Sequence, residues 1–327
     1  MYAGVDLGAT NIRTVVADET GTITGSDERP TPPGPTGIAV TDAILGSLKA
    51  ACDAAAIAPT NIWAVGVGSI GPLDLAEGVI EDPANLPDTI DHIPLTSPIE
   101  SLTETDRVYL HNDTSAGVIG ERFHAAQNPD DMVYLTISSG IGAGVCVDGH
   151  ILSGWDGNAG EVGHSTLDPA GEMHCGCGMD GHWEAYCSGN NIPLYAKHLF
   201  EEMSMNTALP IDDPDLDAAT VFAEVGDDAF ATHVIEQVAA WNAMGIANLV
   251  QSYAPLVVYV GGAVPLNNPE VTLDPVRDRI ADMVMVNVPE IKLTTLGDDV
   301  VVRGALASAM SEGTGDRSKL RAGVKIE

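Results

Sequence analysis

The chain has 327 residues, 47 of them acidic against 14 basic, for a formal net charge of −33 and a pI near 4.2. At roughly 100 to 200 residues per domain that length predicts two domains, and an apolar fraction of 45% excludes a disordered acidic chain. The charge repels nucleic-acid phosphates and anionic lipid, no apolar run reaches the roughly 18 residues of a membrane helix, and the opening Met1 to Asp6 lacks the regions of a signal peptide. The expectation is a soluble, cytoplasmic protein with no nucleic-acid or membrane partner. Interspersed carboxylates with only 5 Lys suit a halophilic milieu, where surface acids hold water and repel other copies. Five Cys in so long a chain do not read as a disulfide scaffold.

In chain order, Tyr2 to Asp6, Ile12 to Asp18 and Thr22 to Ser26 read as three short strands of a meander. Thr36 to Ala56 carries apolar groups at helical spacing, with Ile38, Ile44, Leu45, Leu48 and Cys52 on or near one face. Strands follow at Trp63 to Gly68 and Arg107 to His111. The β-β-β-α-β-α-β order is mixed, so the class is α/β without an all-parallel dinucleotide-binding sheet. The pattern then begins again with a helix, Ser115 to Ala126, and strands Met132 to Ile137, Ala143 to Val147 and near His150 to Leu152. A Gly- and Cys-containing insertion occupies Gly154 to Gly189. Helices at about 190 to 204, 218 to 225 and 228 to 253 precede a strand, Leu256 to Val260. The second half reads as a weak, elaborated duplicate of the first. A last helix, about Arg303 to Glu312, returns to the first domain and leaves a charged, frayed tail from Gly313.

Four turns carry candidate chemistry. Asp6-Leu-Gly8-Ala-Thr10-Asn11 is either an ordinary hairpin or a phosphate grip, in which Gly lets backbone approach, Thr10 adds a hydroxyl and Asp6 holds a hydrated Mg²⁺. Ser138-Ser139-Gly140-Ile-Gly142-Ala-Gly144 repeats that turn in the second half. Its glycines partly imitate a dinucleotide fingerprint, but a strand follows instead of a helix. Gly261-Gly262-Ala263 is either a plain strand-to-helix turn or bare backbone against which a flat adenine lies. In His111-Asn112-Asp113-Thr114-Ser115, Asp113 is either a helix N-cap or a base for an attacking hydroxyl. Two phosphate turns in the same chain favour the base.

The insertion is the most specific segment. His164, Cys175, Cys177 and His182 supply two imidazoles and two thiolates, a set that suits tetrahedral Zn²⁺, with His174 and Cys187 as spare candidates and reduced free thiols as the bland alternative.

Asp6-x-Gly8-x-Thr10, Asn112-Asp113, Ser139-Gly140-Ile-Gly142, Gly160-Glu161-x-Gly163-His164, the Cys-rich loop and Glu184-Ala-Tyr-x-Ser-Gly189 occur in the order seen in sugar kinases of the ROK family (repressor, open reading frame, kinase). The sequence resembles that family, its glucokinases in particular, from about residue 2 to 312. The resemblance implies a two-domain actin/hexokinase-like ATPase fold, ribonuclease H-like, with a cleft between domains and a zinc-binding insertion. Residues 1–113 plus 303–327 would form the smaller domain and 114–302 the larger, with the zinc loop at about 164–182. It further implies Asp113 as catalytic base and Asn85, Asn112, Glu161, His164 and Glu184 as sugar ligands. Gly8, Thr10, Ser139 and Gly140 would meet the phosphates, Asp6 would serve the cofactor through Mg²⁺, and Gly261 and Gly262 would receive the adenosine. ATP, Mg²⁺ and a structural Zn²⁺ follow as cofactors, a hexose as substrate, and a homodimer or homotetramer as the assembly. The zinc loop departs from the family pattern in carrying His182 at the last ligand position, and no Lys or Arg stands out in the motifs. Fructose, N-acetylmannosamine or N-acetylglucosamine kinases are alternatives. A sugar-sensing regulator is a more distant one, since five residues before Asp6 leave no room for a DNA-binding module.

Overall fold

The computed structural model describes residues 1–320 except 84, 85, 88 and 204. The three-strand meander is present as β1 (Tyr2–Leu7), β2 (Asn11–Ala17) and β3 (Ile23–Pro30), followed by α1 (Gly37–Ala54) and β4 (Ala64–Ser69). Three very short strands, β5 (Leu73–Asp74), β6 (Val79–Glu81) and β7 (His92–Pro94), make a small antiparallel sheet that sequence periodicity does not reveal. Two or three residues cannot show an alternation. Next come α2 (Thr96–Thr103), β8 (Val108–Asn112) and α3 (Asp113–His124). The second half comprises β9 (Met132–Ile137), β10 (Ile141–Val147), β11 (His150–Ile151), α4 (Glu184–Cys187), α5 (Ile192–Glu202), α6 (Ala218–Ala223), α7 (Ala229–Tyr253), β12 (Val257–Gly261), α8 (Ala263–Asn267), α9 (Pro269–Met283), β13 (Glu290–Leu293) and α10 (Val300–Met310). The first sheet runs β3-β2-β1-β4-β8 and the second β11-β10-β9-β12-β13. No helix among the described residues is long and apolar enough to cross a membrane.

The chain divides into two compact units, one of Met1–Met132, Gly144–Gly160 and the chain from Asp298 on, the other of Val133–Ala143 and Glu161–Gly297. In the first, β1 pairs antiparallel with β2 and parallel with β4, and β4 is parallel to β8, so the sheet is mixed as its element order predicts. Val5, Leu7, Ile12 and Val16 meet Ile44, Leu48 and Cys52 of α1 in one core. Ile38 does not join them and is 54% exposed. Six residues before Ile44 is about 120° round the helix, off the buried stripe. The other face carries Tyr2 and Ala64 packed with Ile119 and Phe123 of α3 and Leu306 and Met310 of α10. Helix α10 lies so close to β4 that a Cβ on Gly66 would stand 1.9 Å from the Ala305 carbonyl oxygen.

Residues 313–320 are tied down, contrary to the frayed tail expected from Gly313, and 321–327 lie outside the described residues. Arg122, 1% exposed, donates to the carbonyls of Pro129, Gly149 and Thr314 and pairs with Asp130. Asn128 Nδ2 reaches the Gly315 carbonyl at 2.8 Å, and Arg317 donates to the Ala126 carbonyl. A buried guanidinium needs carbonyl acceptors, and the C-terminal backbone is one of its suppliers.

In the second unit β12 and β13 are parallel, and α7 packs on α9 and α4. Trp183, 1% exposed, donates its indole N–H to Asn242 at 2.9 Å.

Candidate active site and metal centre

A pocket of about 390 Å³ in the first unit is lined by the β1–β2 turn from Asp6 to Asn11 together with Arg13, Glu28, Ile70, Asp113 and Val301. The hairpin register sets Asp6 opposite Arg13, whose guanidinium holds the Asp6 carboxylate at 2.8 Å and also reaches Asp299 at 3.6 Å. Burial pushes the Asp6 carboxyl up to about 6, against the opposing pull of Arg13. Within the turn the Gly8 amide donates to Asn11 at 2.9 Å, while the amides of Ala9 and Thr10 have no acceptor among the described residues. Two open N–H groups and a hydroxyl in a small concavity suit an anion.

Asp113 is the first residue of α3, and the cap is its neighbour. The Asn112 side chain accepts the Ser115 amide at 2.7 Å and the Thr114 hydroxyl at 3.2 Å. Asp113 accepts the Thr114 amide at 2.7 Å and keeps an exposed side chain on the pocket wall. Strand β8 behind it is fixed by His111, whose Nε2 sits 2.7 Å from the buried Ser308 hydroxyl of α10. Burial lowers His111 to about 4, so the ring is neutral near pH 7.

In the second unit the β9–β10 turn repeats the plan. The Ser138 amide donates to Gly140 at 2.9 Å, and the amides of Ser139 and Gly140 have no acceptor among the described residues. The Ile141 amide donates to Glu184 Oε2 at 2.7 Å. Gly262, φ +90°, follows β12, and a Cβ there would meet the Ile137 carbonyl at 2.4 Å, so close backbone packing beside this turn accounts for that glycine.

Glu184 also receives the Cys175 thiol at 3.9 Å, which joins the turn to the insertion. The ligand atoms of His164, Cys175, Cys177 and His182 all lie within 4.8 Å of one another. His164 Nδ1 stands 3.6 Å from Cys175 Sγ, and His182 Nδ1 stands 3.3 Å from Cys177 Sγ. Zinc bonds of about 2.3 Å to sulfur and 2.0 to 2.1 Å to nitrogen in a tetrahedron separate ligand atoms by roughly 3.3 to 3.8 Å, so the donor set fits that ion. Burial, with Cys177 and Glu184 alongside, holds the unliganded Cys175 thiol up at about 11. A cation is what would make it a thiolate. The loop is supported from beneath by Tyr186, which donates to Asp168 at 2.6 Å and accepts the Met173 amide at 3.1 Å. His164 Nε2 faces Glu161 at 3.9 Å. Partial burial raises the Glu161 carboxyl, Glu184 adds to the rise and His164 opposes it.

The model of the ROK family matches residues 2–312. The chain belongs to the ROK family. A glucokinase of Pyrobaculum calidifontis is 33% identical over 316 residues, 94% of each chain. The crystal structure of a ROK hexokinase from Thermus thermophilus superposes with a TM-score of 0.81 at 32% identity, over 95% of this chain and 98% of that one. That of a ROK family glucokinase from Streptomyces griseus in complex with glucose and AMPPNP gives 0.72 at 29% identity, over 94% and 98%. The hexokinase-like α/β fold expected from the motifs is therefore present.

Several sequence expectations for this ROK chain are sharpened by the geometry. Asp6, Gly8, Thr10 and Asp113 share one pocket. Gly140, Glu184, Cys175 and His164 form one connected group. The spare ligands stand apart: His174 pairs with Asp180 at 2.8 Å, and Cys187 is buried against the Val238 carbonyl. Asn85 lies outside the described residues. Arg13 is the residue that the motif reading missed. Its signal was present, because a four-residue turn from Gly8 to Asn11 makes Leu7 oppose Ile12 and therefore Asp6 oppose Arg13.

Proposed function

We propose that this ROK protein is an ATP-dependent hexokinase, with glucose as its acceptor and Asp113 as its base. The observation that carries the reading is the division of roles at the start of α3: Asn112 caps the helix, and Asp113 faces the pocket that the Asp6–Asn11 turn lines. In the proposed step the Asp113 carboxylate takes the proton of the C6 hydroxyl as that oxygen attacks the γ-phosphorus of ATP, and the bond to the leaving ADP oxygen breaks with its electron pair on ADP. The Ala9 and Thr10 amides, the Thr10 hydroxyl and the amides of Ser139 and Gly140 hold phosphate oxygens. Asp6 is the residue to hold Mg²⁺, which when bound neutralises phosphate charge. Asn112, Glu161, His164 and Glu184 accept or donate to sugar hydroxyls, and Gly261 and Gly262 receive the adenosine.

His164, Cys175, Cys177 and His182 would hold a Zn²⁺ by four protein ligands, and such an ion would be structural, steadying His164 and, through Cys175, Glu184. A very acidic surface is read as an adaptation to a salty cytoplasm.

The test is a coupled phosphorylation assay in molar KCl across glucose, mannose, fructose and the N-acetylated hexosamines, with Asp113→Asn as the control. Glucose should give the highest kcat/KM, and the substitution should lower kcat by roughly 10²- to 10⁴-fold. Full activity of Asp113→Asn would remove the base from the mechanism. A preference for another hexose would reassign the substrate.

A further inference from the structure

A second and larger pocket of the first unit plays no part in the proposed chemistry. It encloses about 540 Å³ between the small β5–β7 sheet and the loop after β11, and Leu73, Asp74, Leu75, Glu81, Trp155 and Asp156 are among its walls. That volume is within the roughly 300 to 1,000 Å³ of small-molecule sites.

The loop is firmly built. The Ala159 amide donates to the Ser153 carbonyl at 3.1 Å, Asn158 bonds Asp156 through both its amide and its Nδ2, and the Leu73 amide donates to Asn158 Oδ1 at 3.3 Å. Gly154 and Gly157, at φ +76° and +87°, bracket the Trp-Asp pair, and a Cβ on Gly157 would stand 3.0 Å from Leu75 Cγ. The loop is thus clamped on β5 while Trp155 remains 99% exposed.

The other three tryptophans all have partners. Trp183 donates to Asn242, Trp241 donates to Tyr195, and the Trp63 ring receives Arg107 at 3.9 Å. Among the described residues Trp155 has no ring contact and no acceptor for its indole N–H. An ordered loop that presents a large ring to water beside a cavity has the form of a stacking platform.

The carboxylates narrow the ligand. Acids are so common in this chain that three beside one pocket are expected from composition. Two of the three are engaged in their own turns: Asp74 Oδ1 accepts the amides of Ala76 and Glu77, and Asp156 Oδ1 accepts that of Asn158. The Glu81 carboxylate has no partner among the described residues. What remains is an aromatic face, the aliphatic Leu75 and one open acceptor, a combination matched to a ring with C–H faces and O–H edges. A cation would need the carboxylates to converge on it.

We propose that this pocket is a saccharide-binding subsite in which a pyranose ring lies against Trp155 and Leu75 and donates a hydroxyl to Glu81. It does not rest on the kinase reading, since none of these residues belongs to the proposed active site.

The test uses the full chain with maltose as probe and no free glucose, which would compete for a pyranose subsite, followed by indole fluorescence and saturation-transfer NMR, with Trp155 dependence separating this site from any kinase site. Maltose should bind with a Kd on the order of millimolar, about −4 kcal/mol, and stacking on a single ring makes the Trp155→Ala loss roughly tenfold or more. Glu81→Gln should weaken binding by about fivefold. Glucose turnover by Trp155→Ala should match the parent. No maltose signal up to about 100 mM, a signal unchanged in Trp155→Ala, a Trp155-dependent response to tetramethylammonium but not to maltose, or a parent dimer that Trp155→Ala dissociates would each overturn the proposal. Failure of the kinase reading would show in the phosphorylation assay and leave this binding result standing.

Discussion

The two phosphate-type turns share a backbone plan and differ in what braces them. Each closes with one internal amide-to-carbonyl bond and leaves two amides open, Ala9 and Thr10 in one, Ser139 and Gly140 in the other. The first is braced by a nearby ion pair, Asp6 with Arg13 across the hairpin. The second is braced at a distance: Glu184 takes the Ile141 amide and itself touches Cys175 of the metal loop. One turn thus depends on a cross-strand pair seven residues apart, the other on an insertion more than thirty residues downstream. The two turns share a backbone shape and differ in their electrostatic support.

That difference is open to selective damage. The largest effect is expected from emptying the metal loop. Cys175→Ser should lower zinc from about one per chain, read by elemental analysis, and reduce kcat/KM at least tenfold, because groups behind a metal ligand commonly matter by about 10- to 100-fold. A variant without zinc that keeps parent activity and Tm would sever the second turn from its brace.

The next effect is on the strand that delivers Asp113. His111 is lowered to about 4, so its contribution to stability is complete above the ordinary value of 6.5 and is lost as pH falls through about 4. The loss integrates to on the order of 3 kcal/mol at the acid end. Urea midpoints at pH 7 and pH 4.5 should converge in His111→Gln relative to the parent. An unchanged pH dependence would mean that the ring charges elsewhere than in the fold.

Arg13→Gln addresses the first turn directly. It leaves the buried Asp6 carboxylate without its cation and should cost about 1 to 2 kcal/mol of stability by urea denaturation, less than a fully buried pair because Arg13 is partly exposed. The zinc content should stay at the parent level, which is the feature that separates the two braces. The smallest effect is expected from Ser139→Ala, since the proposed grip of the second turn lies mainly in backbone amides. The KM for ATP should rise by about two- to fivefold, and a larger rise would move the grip from amide to hydroxyl.

Legibility in the sequence followed length of pattern. The meander, α1, α3 and α7 announced themselves through periodicities that persist for several residues, and their ends moved by only a few positions. The small sheet β5–β7 is too brief to show one. Helix α9 is charged and contains Pro275, which argues against a helix although its apolar stripe of Leu273, Val276 and Ile280 is buried. The candidate metal ligands stood out because thiol and imidazole at close spacing have few other uses, and the structure brings the four together. The choice among candidates was not legible, since the turn at Gly178 and Gly181 that separates His174 from His182 is a matter of backbone geometry. Arg13 was overlooked because its meaning depends on hairpin register, and the C-terminal segment because its anchors, Arg122 and Asn128, are far away in sequence.

The cap at α3 has one more implication. Asn and Asp serve about equally well in that structural post, so a chain in which positions 112 and 113 exchanged their side chains would raise the same helix with the same thermal resistance. On the proposed mechanism such a protein would keep the cap and carry its acid one residue, a turn of about 100°, away from where a proton is wanted. If Asp113 is the base, foldedness and reactivity are separable by a transposition that leaves composition, mass and charge untouched.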